Sequence, residues 1–170
     1  QLDDVDAERQ AWSATFDRRN DDLLALHSEV AIAIAQALQT RLSTPERARI
    51  DRPGTASLVA YRLVQRSKEF PAPALQQNRV AIEVLGEAIA LDPGYAEALA
   101  EMAWRRCWNA NMGVEGELAV GRRCAENAVL ADPQCADAHF SMGKVLAAER
   151  RFADAIQALR RAVALNSSHL

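Results

Sequence analysis

The sequence predicts an all-α fold: a solenoid of three helix pairs, preceded by a long helix and a short, possibly hairpin-forming amino-terminal segment. Three observations carry this. Thirty-four of the 170 residues are alanine while aromatics make up 5%, a balance that suits thin, closely packed helices better than sheets of β-branched and aromatic side chains. Leu23, Leu26, Val30, Ile34 and Leu38 recur at three- and four-residue spacing down one helical face. One longer pattern then occurs three times in the second part of the chain. With 49% apolar and 25% charged residues, the chain is long enough to bury a core and too apolar to stay disordered.

From Gln1 to Asp17 the pattern is unlike the rest. Val5, the polar run Asp6-Ala7-Glu8-Arg9, and Trp12, Ala14 and Phe16 alternating with Ser13 and Thr15 read as a β-hairpin. A helical register with Val5, Trp12 and Phe16 on one side is the other reading. Asn20 or Asp21 caps the long helix, which runs to about Leu42. Ser43-Thr44-Pro45-Glu46 is a capping box with proline in the first turn, so a short helix follows until Arg52-Pro53-Gly54 stops it. This divides the chain into residues 1–19, an extended remnant of an upstream domain, 20–54, a capping or dimerising segment, and 55–170, the repeats.

Self-comparison aligns three segments without gaps. Counting back from Pro93 gives Ala88, Leu85 and Ala81; from Pro133, Ala128, Ala125 and Gly121; from Ser167, Ala162, Leu159 and Ala155. Each is preceded by a second helical pattern: Leu63 with Ser67, Leu99 with Met102 and Ala103, His139 with Met142 and Gly143. The predicted helix crossings match small with small, Ser67 with Ala81, Ala103 with Gly121 and Gly143 with Ala155, which lets the backbones approach closely. Proline after the second helix has no donor to extend the ladder, so the chain turns into the next pair.

These residues resemble the tetratricopeptide repeat, over 55–93, 94–133 and 134–170. The resemblance implies stacked helix pairs with a concave partner-binding face. The departures are specific. Leu63, Leu99 and His139 stand where the family has a large aromatic. Copy one carries extra residues around Pro71 to Leu75. Pro93 and Pro133 are 40 residues apart, against about 34 in the family, with the surplus near Asn109 to Gly116. Upstream, the order Trp12, Phe16-Asp17-Arg18, Asp21-Asp22, long helix and Ser43-Thr44-Pro45-Glu46-Arg47-Ala48-Arg49 resembles the region before such repeats in multidomain bacterial signalling proteins. Those carry a class III nucleotidyl cyclase or a winged-helix transcription regulator at the amino end. The likeness implies a carboxy-terminal sensing or partner-binding region, with the active domain elsewhere. Beginning at Gln1 and ending just after a helical pattern, the chain reads as part of a longer protein.

The concave stripe that registration selects is Tyr61, Val64 and Lys68; Glu97, Ala100, Trp104 and Trp108; and Asp137, Phe140 and Lys144. Tyr61, Trp104 and Phe140 between Lys68 and Lys144 suit an extended or helical peptide with an acidic group. The competing reading buries these aromatics under a neighbouring helix, the insertion, or the 31–42 helix, and Trp108 is the one most suited to a core. Leu23, Leu26, Val30 and Ile34 form the candidate dimer stripe.

Other chemistries find no support. The net charge is −3, from 20 basic and 23 acidic residues, which gives no field to hold nucleic acid or an anionic membrane. The longest apolar stretch, Val30 to Ala35, is far short of a bilayer span. Cys107, Cys124 and Cys135 lack CxxC or histidine-rich spacing and suit free thiols in a reducing cytoplasm. His27, His139 and His169 lie in different elements without triad or zinc spacing, so neither catalysis nor a metal is expected. Gly113, Gly116 and Gly121 form no dinucleotide fingerprint or P-loop, and no cofactor is expected. The expected partner is a protein or peptide, another domain of the same polypeptide, or a second copy.

Overall fold

The computed structural model describes residues 2–4, 9–12, 29–34 and 54–165. The fold is all-α. Two compact units divide between Leu58 and Val59. In the first, β1 (Leu2–Asp4) pairs antiparallel with β2 (Arg9–Trp12), with an irregularity between Leu2 and Asp3. Residues 29–34 are helical and form α1, on which Val30 is half-buried and Ile34 exposed. The hairpin is therefore present, built on Leu2–Asp4 rather than around Val5. Ala14, Phe16, Leu23, Leu26 and the 44–52 helix lie outside the described residues.

Among the described residues, the second unit holds six helices, the first starting at its boundary: α2 (Leu58–Lys68), α3 (Leu75–Leu91), α4 (Ala96–Asn111), α5 (Glu117–Ala131), α6 (Ala136–Ala148) and α7 (Phe152–Leu165). Each of α3 to α6 packs on the next helix, and α4 also packs on α6. The two Asp-Pro sequences produce the same turn twice. Asp92 and Asp132 end α3 and α5 by donating their N–H to Ala88 and Ala128. Their carboxylates then accept from the N–H of Gly94 and Gln134, at 3.1 and 2.8 Å. Tyr95 and Cys135 N–H close on the carbonyls of Asp92 and Asp132, both at 3.1 Å. An aspartate that caps its own turn and a proline that cannot continue a helix thus launch α4 and α6 alike.

Small residues set the crossings. A Cβ on Gly121 would lie 3.1 Å from the Ala103 carbonyl oxygen, and one on Gly143 would lie 2.7 Å from Leu159 Cγ and 3.3 Å from the Ala155 oxygen. Both expected pairings, Ala103 with Gly121 and Gly143 with Ala155, are therefore close approaches. Ser67 and Ala81 are fully buried. The core forms three clusters: Ala60, Val64, Ile82, Leu85, Tyr95 and Met102 join α2 to α3 and α4; Leu99, Ala100, Ala128 and Ala138 link α4, α5 and α6; Ala103, Cys107, Ala125 and Val145 continue it. The copy-two surplus goes partly into a long α4 and partly into a turn, where Gly113 and Gly116 hold φ of 85° and 78°, a backbone region that favours glycine. On α7, Phe152, Ile156 and Val163 are exposed, whereas the registered Asn78 and Ile82 of α3 are buried beneath α4.

Candidate functional site

The first helices of the pairs, α2, α4 and α6, run parallel. Ala60 and Val64 share a cluster with Ala98 and Met102 while Ser67 lies beside Arg105, and Ala100 and Cys107 share clusters with Ala138 and Val145 in the same order. Between them opens a cavity of about 400 Å³ lined by Lys68, Phe70, Pro71, Ala72, Glu97, Ala100, Glu101, Trp104, Arg105, Asp137, Phe140 and Ser141.

Six of the ten residues selected from the sequence line this cavity: Lys68, Glu97, Ala100, Trp104, Asp137 and Phe140. Phe140 is 43% exposed. Trp104 is half-buried, with its ring centroid 6.2 Å from that of Trp108. The other four stand apart from the lining. Val64 is fully buried in the α2–α3–α4 cluster, so it is core and not a contact for a partner. Tyr61 is half-buried. Trp108 is half-buried with its indole N–H enclosed and unbonded among the described residues. Lys144 is exposed, and its carbonyl accepts from Cys107 Sγ at 3.6 Å.

The lining also holds residues that the sequence reading passed over, above all Arg105. Its side chain is 2% exposed. Nε donates to Glu101 Oε1 at 2.8 Å, Nη1 to Asn78 Oδ1 at 3.0 Å and to the Phe70 carbonyl at 3.1 Å, and Nη2 to the Ser67 carbonyl at 2.7 Å. Asn78 in turn donates to the Arg105 carbonyl and to Asn109 Oδ1, at 3.1 and 2.7 Å. A buried guanidinium is tolerable because the carbonyls and carboxylate around it accept its N–H groups. It also fixes the floor of the cavity: the end of α2 and the Phe70-Pro71 turn are tied to α4 by one side chain. The Glu101/Arg105 spacing of four was a visible signal for the ion pair. The partners 27 to 38 residues away leave no periodic trace. Pro71 and Ala72, at the insertion of copy one, line the cavity, while the extra residues of copy two, from Asn109 to Gly116, do not.

Three thiols and one phenol nearby are held neutral by burial. The Cys135 thiol is pushed up to about 11, and Cys107 and Cys124 are raised above the ordinary thiol value, in each case chiefly by desolvation. Tyr95 is raised by burial and then by Glu97, whose Oε2 accepts its hydroxyl at 3.2 Å. Such thiols are poor nucleophiles. His139 is half-buried with Nε2 3.0 Å from the Pro133 carbonyl oxygen, a turn contact. Among the described residues no group of three His, Cys, Asp or Glu is placed to hold a metal, and no helix is long and apolar enough to cross a membrane.

No profile of a known protein family matches the chain. It is 27% identical over 154 residues to a protein of Rhizobium meliloti (strain 1021) named "Putative adenylate cyclase 3". The match covers 85% of this chain and 25% of that relative, so the chain spans about a quarter of the relative's length.

Proposed function

We propose that this chain is a non-catalytic, cytoplasmic interaction module of the tetratricopeptide type within a larger signalling protein. Its groove between α2, α4 and α6 binds a peptide or a partner domain, including a domain of the same polypeptide. The observation that carries this reading is the open cavity with Trp104 and the exposed Phe140 on parallel helices. A soluble array gains nothing from an exposed aromatic in a concavity unless something covers it, and aromatic anchors in pockets supply most of the energy of such contacts. The three-fold spacing and the twice-repeated Asp-Pro turn support the repeat assignment.

The likeness to the Rhizobium meliloti protein supports placing the module in the regulatory part of a nucleotidyl cyclase whose catalytic domain lies elsewhere. A dimerising role through Leu23, Leu26, Val30 and Ile34 is the second reading, favoured by the exposed Ile34 on α1. Light scattering over a concentration series separates the two, since a groove needs no second copy.

The test of the groove is a selection of displayed peptides on the purified chain, followed by titration of the selected peptides against Trp104→Ala/Phe140→Ala. The double variant keeps its helical circular dichroism and loses at least about tenfold in affinity. Unchanged affinity refutes the groove.

A further inference from the structure

The cavity is polarised. Glu97 and Asp137 are the second residues of α4 and α6, in the first turn of each, and because those helices run parallel both carboxylates lie at the same end. Lys68 closes α2 and lies at the other end. Of the remaining charged lining residues, Arg105 and Glu101 bond to one another, and every other donor of Arg105 that the structure pairs goes to Asn78, Phe70 and Ser67. Neither Glu97 nor Asp137 forms an ion pair with a described residue. Between the two ends stand Phe140, three residues after Asp137, and Trp104, seven after Glu97, each on the stripe of its own carboxylate.

Two carboxylates beside aromatic rings form a composite that anions avoid. A carboxylate ligand meets repulsion there, and an apolar side chain covers Asp137 and Glu97 without pairing their charges, which the Tyr95 hydroxyl bonded to Glu97 does not neutralise. A guanidinium satisfies both parts, since its planar fork accepts two carboxylates at its edges while its face stacks on a ring. The Cys135 thiol is raised first by burial and then by the charges of Asp137 and Glu97, against the lowering effect of hydrogen bonds from the Ala138 and Asp137 backbone.

We infer that the acidic end of this cavity is a site for an arginine side chain of the bound segment, held between Glu97 and Asp137 and stacked on Phe140. This rests on the groove being the binding face, and it replaces the expectation of an acidic group clasped by Lys68 and Lys144: Lys144 is not in the lining, and the carboxylates are. An acidic group of the same segment belongs at the Lys68 end.

The probes are small amides that need no knowledge of the natural partner. The chain labelled with 5-fluorotryptophan is titrated with N-acetyl-arginine amide, its neutral isostere N-acetyl-citrulline amide, and N-acetyl-aspartate amide at constant ionic strength. The fluorine signal of Trp104, assigned with Trp104→Phe, is followed. The arginine amide shifts it saturably, the citrulline amide binds at least about tenfold more weakly, and Asp137→Asn or Glu97→Gln weakens the arginine amide about three- to tenfold. Glu83→Gln, at an exposed carboxylate of α3 outside the lining, leaves arginine binding intact, which shows that the loss in the other variants is local. Saturable binding of the aspartate amide instead, or arginine binding indifferent to Asp137→Asn and Glu97→Gln, overturns the arginine site while leaving the groove as a binding face. A Trp104 signal that none of the three moves overturns the site and counts against the groove itself.

Discussion

Two junctions of the array solve the same packing problem with opposite chemistry. Where the first pair meets the second, Asn78 of α3 and Arg105 of α4 fill the space with a buried polar network. Forty residues on in the repeat register, the same positions are Leu118 of α5 and Val145 of α6, which lie in one apolar cluster with Ala103, Cys107 and Ala125. Apolar contact needs only volume, whereas the network needs every partner in place. The polar junction is thus the specific and brittle one, and it is also the one beneath the cavity. Any movement of the α2 end would have to break bonds to Arg105, so the shape of the cavity is tied to this junction.

The largest effect is expected from Arg105→Ala, which removes a buried side chain and strands Asn78 Oδ1 and the carbonyls of Ser67 and Phe70. It should cost at least about 3 kcal/mol and lower the melting temperature by roughly 10 °C or more. Arg105→Val combined with Asn78→Leu copies the second junction onto the first. In a double-mutant cycle by urea unfolding, the pair should recover at least about 1 kcal/mol over the sum of the single changes. Simple additivity would break the comparison.

Glycine substitution comes next. Gly143→Ala drives a Cβ to within 2.7 and 2.8 Å of Leu159 Cγ and Cδ2 and should destabilise by about 1–3 kcal/mol. Alkali sharpens the contrast between junctions further. Cys107 and Cys135 belong to the second junction and Cys124 packs against the clusters of both, and all three thiols are raised from about 9, Cys135 to about 11. A raised folded-state value means that the unfolded chain loses these protons first. The stability is whole below pH about 9 and declines as pH rises towards 11. Thermal melts across this window should fall in the native chain and fall less in a variant with alanine at all three cysteines. The smallest effect is of opposite sign: Gly86 is exposed in α3 with nothing within 4 Å of its missing Cβ, so Gly86→Ala should stabilise by about 0.5–1 kcal/mol.

How much of this was legible in the sequence follows from range. The Asp-Pro turns, two of the three small-residue crossings and the six selected positions that line the cavity were readable because each is set by a local repeat that registers one copy on the next. Val64 was misread as a contact because register gives a helical stripe without saying how deep the neighbouring helix lies over it. Arg105 was passed over because a charged residue at a helical core position looks like a surface residue until its acceptors, 27 to 38 residues away, are brought to it by the fold. The charge polarity of the cavity escaped for the same reason: Glu97 and Asp137 lie 40 residues apart in sequence and share one end only because α4 and α6 are parallel.

The claim on which the rest depends is that partners occupy the face made by α2, α4 and α6. Amide chemical shifts of the chain, recorded with and without a peptide selected on it, test this most directly. The account predicts changes concentrated at Glu97, Ala100, Trp104, Asp137 and Phe140. Changes concentrated instead at Phe152, Ile156 and Val163, the exposed apolar face of α7, would contradict it and move the binding surface to the end of the array.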